Sequence, residues 1–120
     1  MACHILDVPY KTLKLGYPNS VECTTSTTYA KMWNADYAPE GCPLSSVVNL
    51  QYNDSPYAKN GIKLVWMDGG LTPDLPEFLG DDFFTKRSSN NLAVIVGSKG
   101  AITSRAVSYT HLTLPTKRIV

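Results

Sequence analysis

The sequence has 120 residues, 43% of them hydrophobic, which is enough for one domain with a buried core but not for a nucleotide-binding domain joined to a substrate domain. Its 11 basic and 10 acidic side chains are interspersed and no apolar run approaches the roughly 20 residues of a membrane helix, which argues against a nucleic acid or a membrane as partner. Cys3, Cys23 and Cys42 form no Cys-x-x-Cys pair, so free thiols are predicted rather than disulfides or a zinc site.

The chain opens with a predicted helix. Apolar residues recur at three-to-four spacing over residues 5–15, and Gly16 followed by Pro18 predicts where the helix ends. Pro9 lies inside this pattern. Because proline lacks a backbone donor and crowds the preceding turn, a kink or a restart is expected at Pro9, with Asp7 near the new cap.

An antiparallel meander is predicted after the helix. The predicted strands cover residues 20–28, 44–52, 62–67, 92–96 and 101–103. The second and third strands are expected to form a hairpin, as are the last two around the Gly97–Gly100 turn. A long loop is predicted over residues 29–43 and a single helical turn within residues 76–84. One helix followed by such a meander indicates an α+β fold with an open, mostly antiparallel sheet.

Two loop segments carry candidate functional residues. Trp33 and Asp36 combine an aromatic ring with a carboxylate, which suits stacking on a sugar and binding its hydroxyls. The alternative for Trp33 is an aromatic anchor packed on the sheet. After the third strand, Asp68 is predicted to cap a turn at Gly69 and Gly70, because glycine adopts a positive φ without strain.

The last fourteen residues, 107–120, differ from the rest of the chain. The string VSYTHLTLPT at residues 107–116 resembles the translated mosaic end and linker of a transposase-type sequencing adapter. The alternation of apolar and polar residues in this string would otherwise indicate a strand. We expect this tail to be translated library DNA, and we set it aside as one would an expression tag, so His111 is given no functional role.

Several short motifs follow one another between Met1 and Arg105. They are CHILD at 3–7, LKLGYP at 13–18, SVE at 20–22, WNADY at 33–37, PEGCP at 39–43, WMDGGL at 66–71 and VGSKG at 96–100. This series resembles the C-terminal domain of the glucose-fructose oxidoreductase and inositol dehydrogenase family (Gfo/Idh/MocA). It is most similar to the bacterial branch that carries the string G-C-H-I-L-D.

The resemblance implies a two-domain parent enzyme. An N-terminal Rossmann domain, ending in a Glu-Lys-Pro lysine, would bind NAD(P), and residues 1–106 would be part of the C-terminal domain for substrate binding and oligomerisation. The Rossmann domain is then absent from these 120 residues, and Met1 is expected to be an internal methionine or a start assigned within a partial gene. The implied partners are a sugar or polyol substrate and a second copy bound through the sheet.

The family motif of the second domain is Asp-x-x-x-His-x-x-Asp on a helix. His4 matches its histidine and Asp7 its second aspartate, while the first aspartate would precede Met1. Oxidation of a secondary alcohol needs a base for the hydroxyl proton, and imidazole titrates close to neutrality. Asp7 could bind a sugar hydroxyl or orient the ring. The structural alternatives are a partly buried histidine bonded to a backbone carbonyl and, for Asp7, a helix N-cap.

The function implied by the resemblance is NAD(P)-dependent oxidation of a sugar or polyol hydroxyl, with no turnover and no tight NAD(P) binding expected from this chain alone. Two other functions stay open. One is an NAD-dependent glycosidase of the same family, which oxidises a sugar, eliminates the aglycone and reduces the product again. The other is a non-enzymatic interaction domain. Bacterial cytoplasm and periplasm are both compatible with the sequence.

Overall fold

A computed structural model describes residues 2–36, 41–84 and 91–105. Its elements are α1 (Ala2–Leu13), β1 (Ser20–Thr25), β2 (Thr28–Lys31), β3 (Asn34–Asp36), β4 (Ser46–Tyr52), β5 (Ile62–Met67), a 3-10 helix (Glu77–Leu79), β6 (Leu92–Gly97) and β7 (Gly100–Arg105). Met1 and the predicted tail at 107–120 lie outside the described residues. None of the helical segments in the described ranges is long and apolar enough to cross a membrane.

Within the described residues, seven strands form three antiparallel sheets. In the largest sheet β4 lies between β1 and β5, while β2 pairs with β3 and β6 pairs with β7. The β4–β5 register places Tyr52 opposite Ile62, as expected for a hairpin closed by residues 53–61. The β6–β7 register places Gly97 opposite Gly100, as expected for a tight turn. One N-terminal helix before open antiparallel sheets confirms the predicted α+β class.

The region between residues 20 and 43 differs from its prediction. The first strand ends at Thr25, and part of the predicted long loop is a hairpin of β2 and β3. Ser26 follows this strand, and its hydroxyl accepts the backbone N–H of Ser45 at 3.0 Å. Strands of four and three residues are too short to show a period of two, so the sequence pattern could not reveal this hairpin.

The end of α1 also differs from its prediction. The helix ends at Leu13, and Lys14 takes the left-handed conformation with φ of 50°. The backbone N–H of Leu15 donates to the Tyr10 carbonyl at 3.2 Å, and that of Lys14 donates to the Lys11 carbonyl at 3.4 Å. These two bonds make a Schellman motif, which ends the helix before Gly16 is reached.

Proline does not restart α1. The helix runs through Pro9, which is buried, so Asp7 lies inside the helix rather than at a cap. Ile5, Leu15 and Tyr52 are the buried hydrophobic side chains of the described residues. These three belong to α1, to the segment after it and to β4. The main packing contacts of α1 are with β6 and β7.

Candidate functional site

An apolar groove of about 580 Å³ lies between α1, β5 and β6. The helix contributes Ile5, Leu6, Pro9 and Leu13 to its wall. Every residue of β5, 62–67, and residues 92–96 of β6 also line it. Because successive residues of a strand point to opposite faces, lining by consecutive residues means that the groove runs along the strand edges. In the described sheets those two edges are unpaired, since β5 pairs only with β4 and β6 only with β7.

His4 and Asp7 lie on α1 three residues apart and therefore on neighbouring positions of its surface. The His4 side chain is exposed and makes no hydrogen bond within the described ranges, so the alternative of a partly buried, satisfied histidine does not apply. Asp7 is half-buried, and its Oδ1 forms an ion pair with Nζ of Lys11 at 3.3 Å. Such an i,i+4 pair on a helix surface contributes about 0.3–0.5 kcal/mol.

The groove and this pair lie on different sides of α1. Ile5 and Leu6, which separate His4 from Asp7 along the chain, line the groove, whereas His4 and Asp7 do not. Since neighbouring helix residues differ by about 100° around the axis, the groove-lining residues share one side of α1, and His4 and Asp7 lie on the side away from them. A ligand at His4 would thus be bound outside the groove.

Trp33 and Asp36 are placed elsewhere in the fold. Trp33 is at the turn of the β2–β3 hairpin, with 87% of its surface exposed, so the alternative of an anchor packed on the sheet does not apply. Asp36 is the last residue of β3 and pairs with Thr28. The main contacts of α1 are with β6 and β7, and the β2–β3 hairpin is not among them. The structure therefore does not bring Trp33 and Asp36 together with His4 and Asp7.

The Asp68 carboxylate accepts three hydrogen bonds. Its Oδ1 accepts the backbone N–H of Ser46 at 2.6 Å, and its Oδ2 accepts the Ser46 hydroxyl at 2.9 Å and the Trp66 indole N–H at 3.1 Å. The Trp66 indole and the Ser46 hydroxyl hold the pKa of Asp68 below its ordinary value, because these bonds favour the ionised form. Gly69 and Gly70 follow with φ of 69° and 86°, which confirms the predicted capped turn.

Metal chemistry has no support in the described ranges, where no group of three or more histidine, cysteine, aspartate or glutamate side chains could hold an ion. The three cysteines are free and exposed.

No known family or curated protein matches this sequence.

The resemblance to the Gfo/Idh/MocA family therefore stays a prediction carried by the motifs themselves. The groove is the feature that sequence reasoning missed. The sequence correctly predicted the helix and the strands that contribute apolar residues to its walls. The groove itself forms because the edges of two strands from different sheets face each other, and a period-two pattern does not specify how sheets are arranged.

Proposed function

We propose that this chain forms the substrate-binding part of an NAD(P)-dependent oxidoreductase that acts on a hydroxyl group of a sugar or polyol. The observation that carries the proposal is His4, an exposed imidazole with no side-chain partner in the described ranges, one helical turn from the Asp7 carboxylate. The resemblance of the motif series to that of the Gfo/Idh/MocA family supports the same assignment.

The chemistry assigned to His4 is proton transfer. An unoccupied imidazole nitrogen accepts the proton of a substrate hydroxyl, and the resulting cation is stabilised by a nearby carboxylate. Asp7 can fill that second role or accept a hydrogen bond from an adjacent hydroxyl, but its present ion pair with Lys11 competes for the same oxygen. The half-exposed position of this pair leaves Asp7 able to exchange Lys11 for a ligand.

The described residues do not fit a dinucleotide. The sequence contains no G-x-G-x-x-G, and the Gly97–Gly100 segment is a hairpin turn between β6 and β7, without the helix N-terminus that binds a pyrophosphate. We therefore assign proton transfer and substrate binding to these residues, and we derive no hydride step from them. In this proposal the nucleotide is bound by a part of the enzyme other than these 120 residues.

The substrate half of the proposal is tested by ligand-observed saturation-transfer NMR with a panel of hexoses and cyclic polyols. We expect binding on the order of millimolar, within the usual range of enzyme substrates. His4→Gln should weaken it by about fivefold, the worth of one hydrogen bond. The matched control is Glu22→Gln, a change at an exposed position of β1, which pairs with β4 whereas α1 packs on β6 and β7. Equal transfer in wild type and His4→Gln would remove His4 from the site.

The cofactor half is tested separately by titrating the 120-residue chain with NADH and following nucleotide fluorescence. We expect no binding in the micromolar range. Micromolar binding would show that the chain contains a dinucleotide site of its own and would overturn the division of roles proposed here, whereas polyol binding that is equal in wild type and His4→Gln would overturn only the role of His4.

A non-enzymatic interaction domain is the second candidate, and one observation favours it. In the described ranges the buried hydrophobic side chains are Ile5, Leu15 and Tyr52, while Tyr17, Met32 and Leu44 are among the large hydrophobic residues that stay exposed. Apolar surface of this kind marks protein interaction sites. Binding of a partner at such a surface with no response to polyols would favour this candidate.

A further inference from the structure

The β2–β3 hairpin ends in an apolar tip that lacks a packing partner in the described fold. We define the tip as Tyr29, Met32 and Trp33, whose surfaces are 63%, 83% and 87% exposed. The two strands pair only with each other. Trp33 also has a φ of 67°, an unfavourable backbone conformation for a bulky residue, so the turn holds the ring outward at a cost in stability.

The groove between α1, β5 and β6 is the complementary feature of the same chain. Its walls are largely apolar and its volume of about 580 Å³ is sufficient for large side chains. Both strand edges that face it are unpaired within the described sheets, so a guest strand would find backbone donors and acceptors there.

We propose that the hairpin tip of one copy of this chain inserts into the groove of a second copy, and that the exchange is mutual. An aromatic side chain buries about 150–250 Å². The two tips together carry four aromatic side chains and would therefore bury on the order of 700 Å². The two grooves would bury a similar area. The resulting total of about 1,400 Å² reaches the size of a stable protein interface, about 1,200–2,000 Å². One insertion alone would fall short of that size, which is why mutual exchange is expected.

Charge favours the same pairing. Lys31 is exposed directly beside the tip, and the exposed carboxylates Asp68 and Asp74 lie at the groove, where Lys63 is the cationic side chain. The groove therefore presents more negative than positive charge to the lysine of an entering tip, which assists docking at low ionic strength. The inference does not depend on the proposed oxidoreductase activity.

Sedimentation velocity of the full chain over a range of concentrations tests the proposal. We expect a reversible dimer. Trp33→Asn removes the indole and suits the left-handed backbone, so it should not impair folding, and it should weaken dimerisation more than about tenfold. Leu71→Arg, in an irregular segment of the groove wall, should have a similar effect through steric and charge repulsion. Tyr17→Asn is the matched control, because Tyr17 is 95% exposed and belongs to neither surface.

A mixing experiment separates mutual insertion from other modes of association. Trp33→Asn retains an intact groove and Leu71→Arg retains an intact tip, so one intact insertion remains possible in a mixture of the two. The mixture should therefore associate more than either variant alone but less than wild type. Circular dichroism of each variant establishes that it is folded. A wild-type chain that stays monomeric, or variants that dimerise as well as Tyr17→Asn does, would overturn the proposal.

Discussion

The Asp68 carboxylate accepts hydrogen bonds from both donors of Ser46, its backbone N–H at 2.6 Å and its hydroxyl at 2.9 Å. The backbone N–H of Asp68 returns a bond to the Ser46 carbonyl at 3.1 Å. The residue after β5 is thereby fixed to the first residue of β4. This connection closes the hairpin at the end opposite its loop and positions Gly69 beside the groove.

Acid should weaken this connection. The pKa of Asp68 is lowered in the folded state, chiefly by the Trp66 indole, from the ordinary value of 3.8. A carboxylate of this kind stabilises the fold fully above the unfolded pKa, and the contribution is lost as pH falls through the folded pKa. The temperature of the thermal unfolding midpoint should therefore decrease when the pH is lowered below about 4. In Asp68→Asn the thermal midpoint, followed by circular dichroism, should be lower than in wild type at pH 7 and should change less with acid. A variant with the same dependence of the midpoint on pH as wild type would contradict the role of Asp68.

Gly69→Ala should destabilise the chain more than Gly70→Ala. Both glycines have a positive φ, but a Cβ on Gly69 would collide with the Leu44 carbonyl and with Ser45, whereas a Cβ on Gly70 would meet open space. The left-handed conformation alone costs alanine about 1–2 kcal/mol, and the collision adds to this only at Gly69. Urea unfolding of the two variants measures the difference. Equal losses would mean that the turn can move away from Leu44.

Lys14→Gly should stabilise the chain by about 1 kcal/mol, because Lys14 occupies the left-handed position of the Schellman motif with φ of 50°. Lys14→Ala is the matched control, since it removes the same charge near the helix C-terminus but keeps the backbone strain. The free energy of unfolding from urea titration should rank glycine above lysine and alanine. If Lys14→Ala had the same free energy of unfolding as Lys14→Gly, the loss of the charge and not the value of φ would explain the gain in stability.

Alkaline conditions should weaken the packing of Tyr52. Its side chain is only 4% exposed, and burial followed by the neighbouring Tyr10 raises its pKa above the ordinary value of 10.0. Since the neutral phenol is favoured in the fold, its contribution is complete below pH 10.0 and lost as pH rises through the higher folded pKa. Tyr52→Phe should unfold at a higher pH than wild type, by circular dichroism. Coincident alkaline transitions would exclude Tyr52 as the cause.

Local chemistry explains which features could be predicted from the sequence. Asp68 with its two glycines and the Gly97–Gly100 turn were predictable because each depends on neighbours in the chain. The end of α1 was not, because Lys14 adopts a conformation that normally favours glycine. The β2–β3 hairpin has strands too short for a pattern, and the groove depends on contacts between elements distant in sequence.

The same distinction applies to the candidate site. His4 and Asp7 share a helix face, as their spacing predicted, because helical geometry fixes neighbours three residues apart. The position of Trp33 and Asp36 relative to them depends on how the hairpin packs, and nothing in a loop sequence specifies that. The N-cap alternative for Asp7 was wrong because Pro9 is accommodated inside α1.

Binding of a substrate hydroxyl at His4 is tested most directly by proton NMR of the histidine rings. The sequence has two histidines, so His111, which lies outside the described residues, supplies an internal control signal in the same sample. Addition of the best polyol from the panel should move the His4 ring resonances in a saturable way and leave those of His111 in place. Resonances of both rings that stay fixed, or that move together without saturation, would contradict the claim.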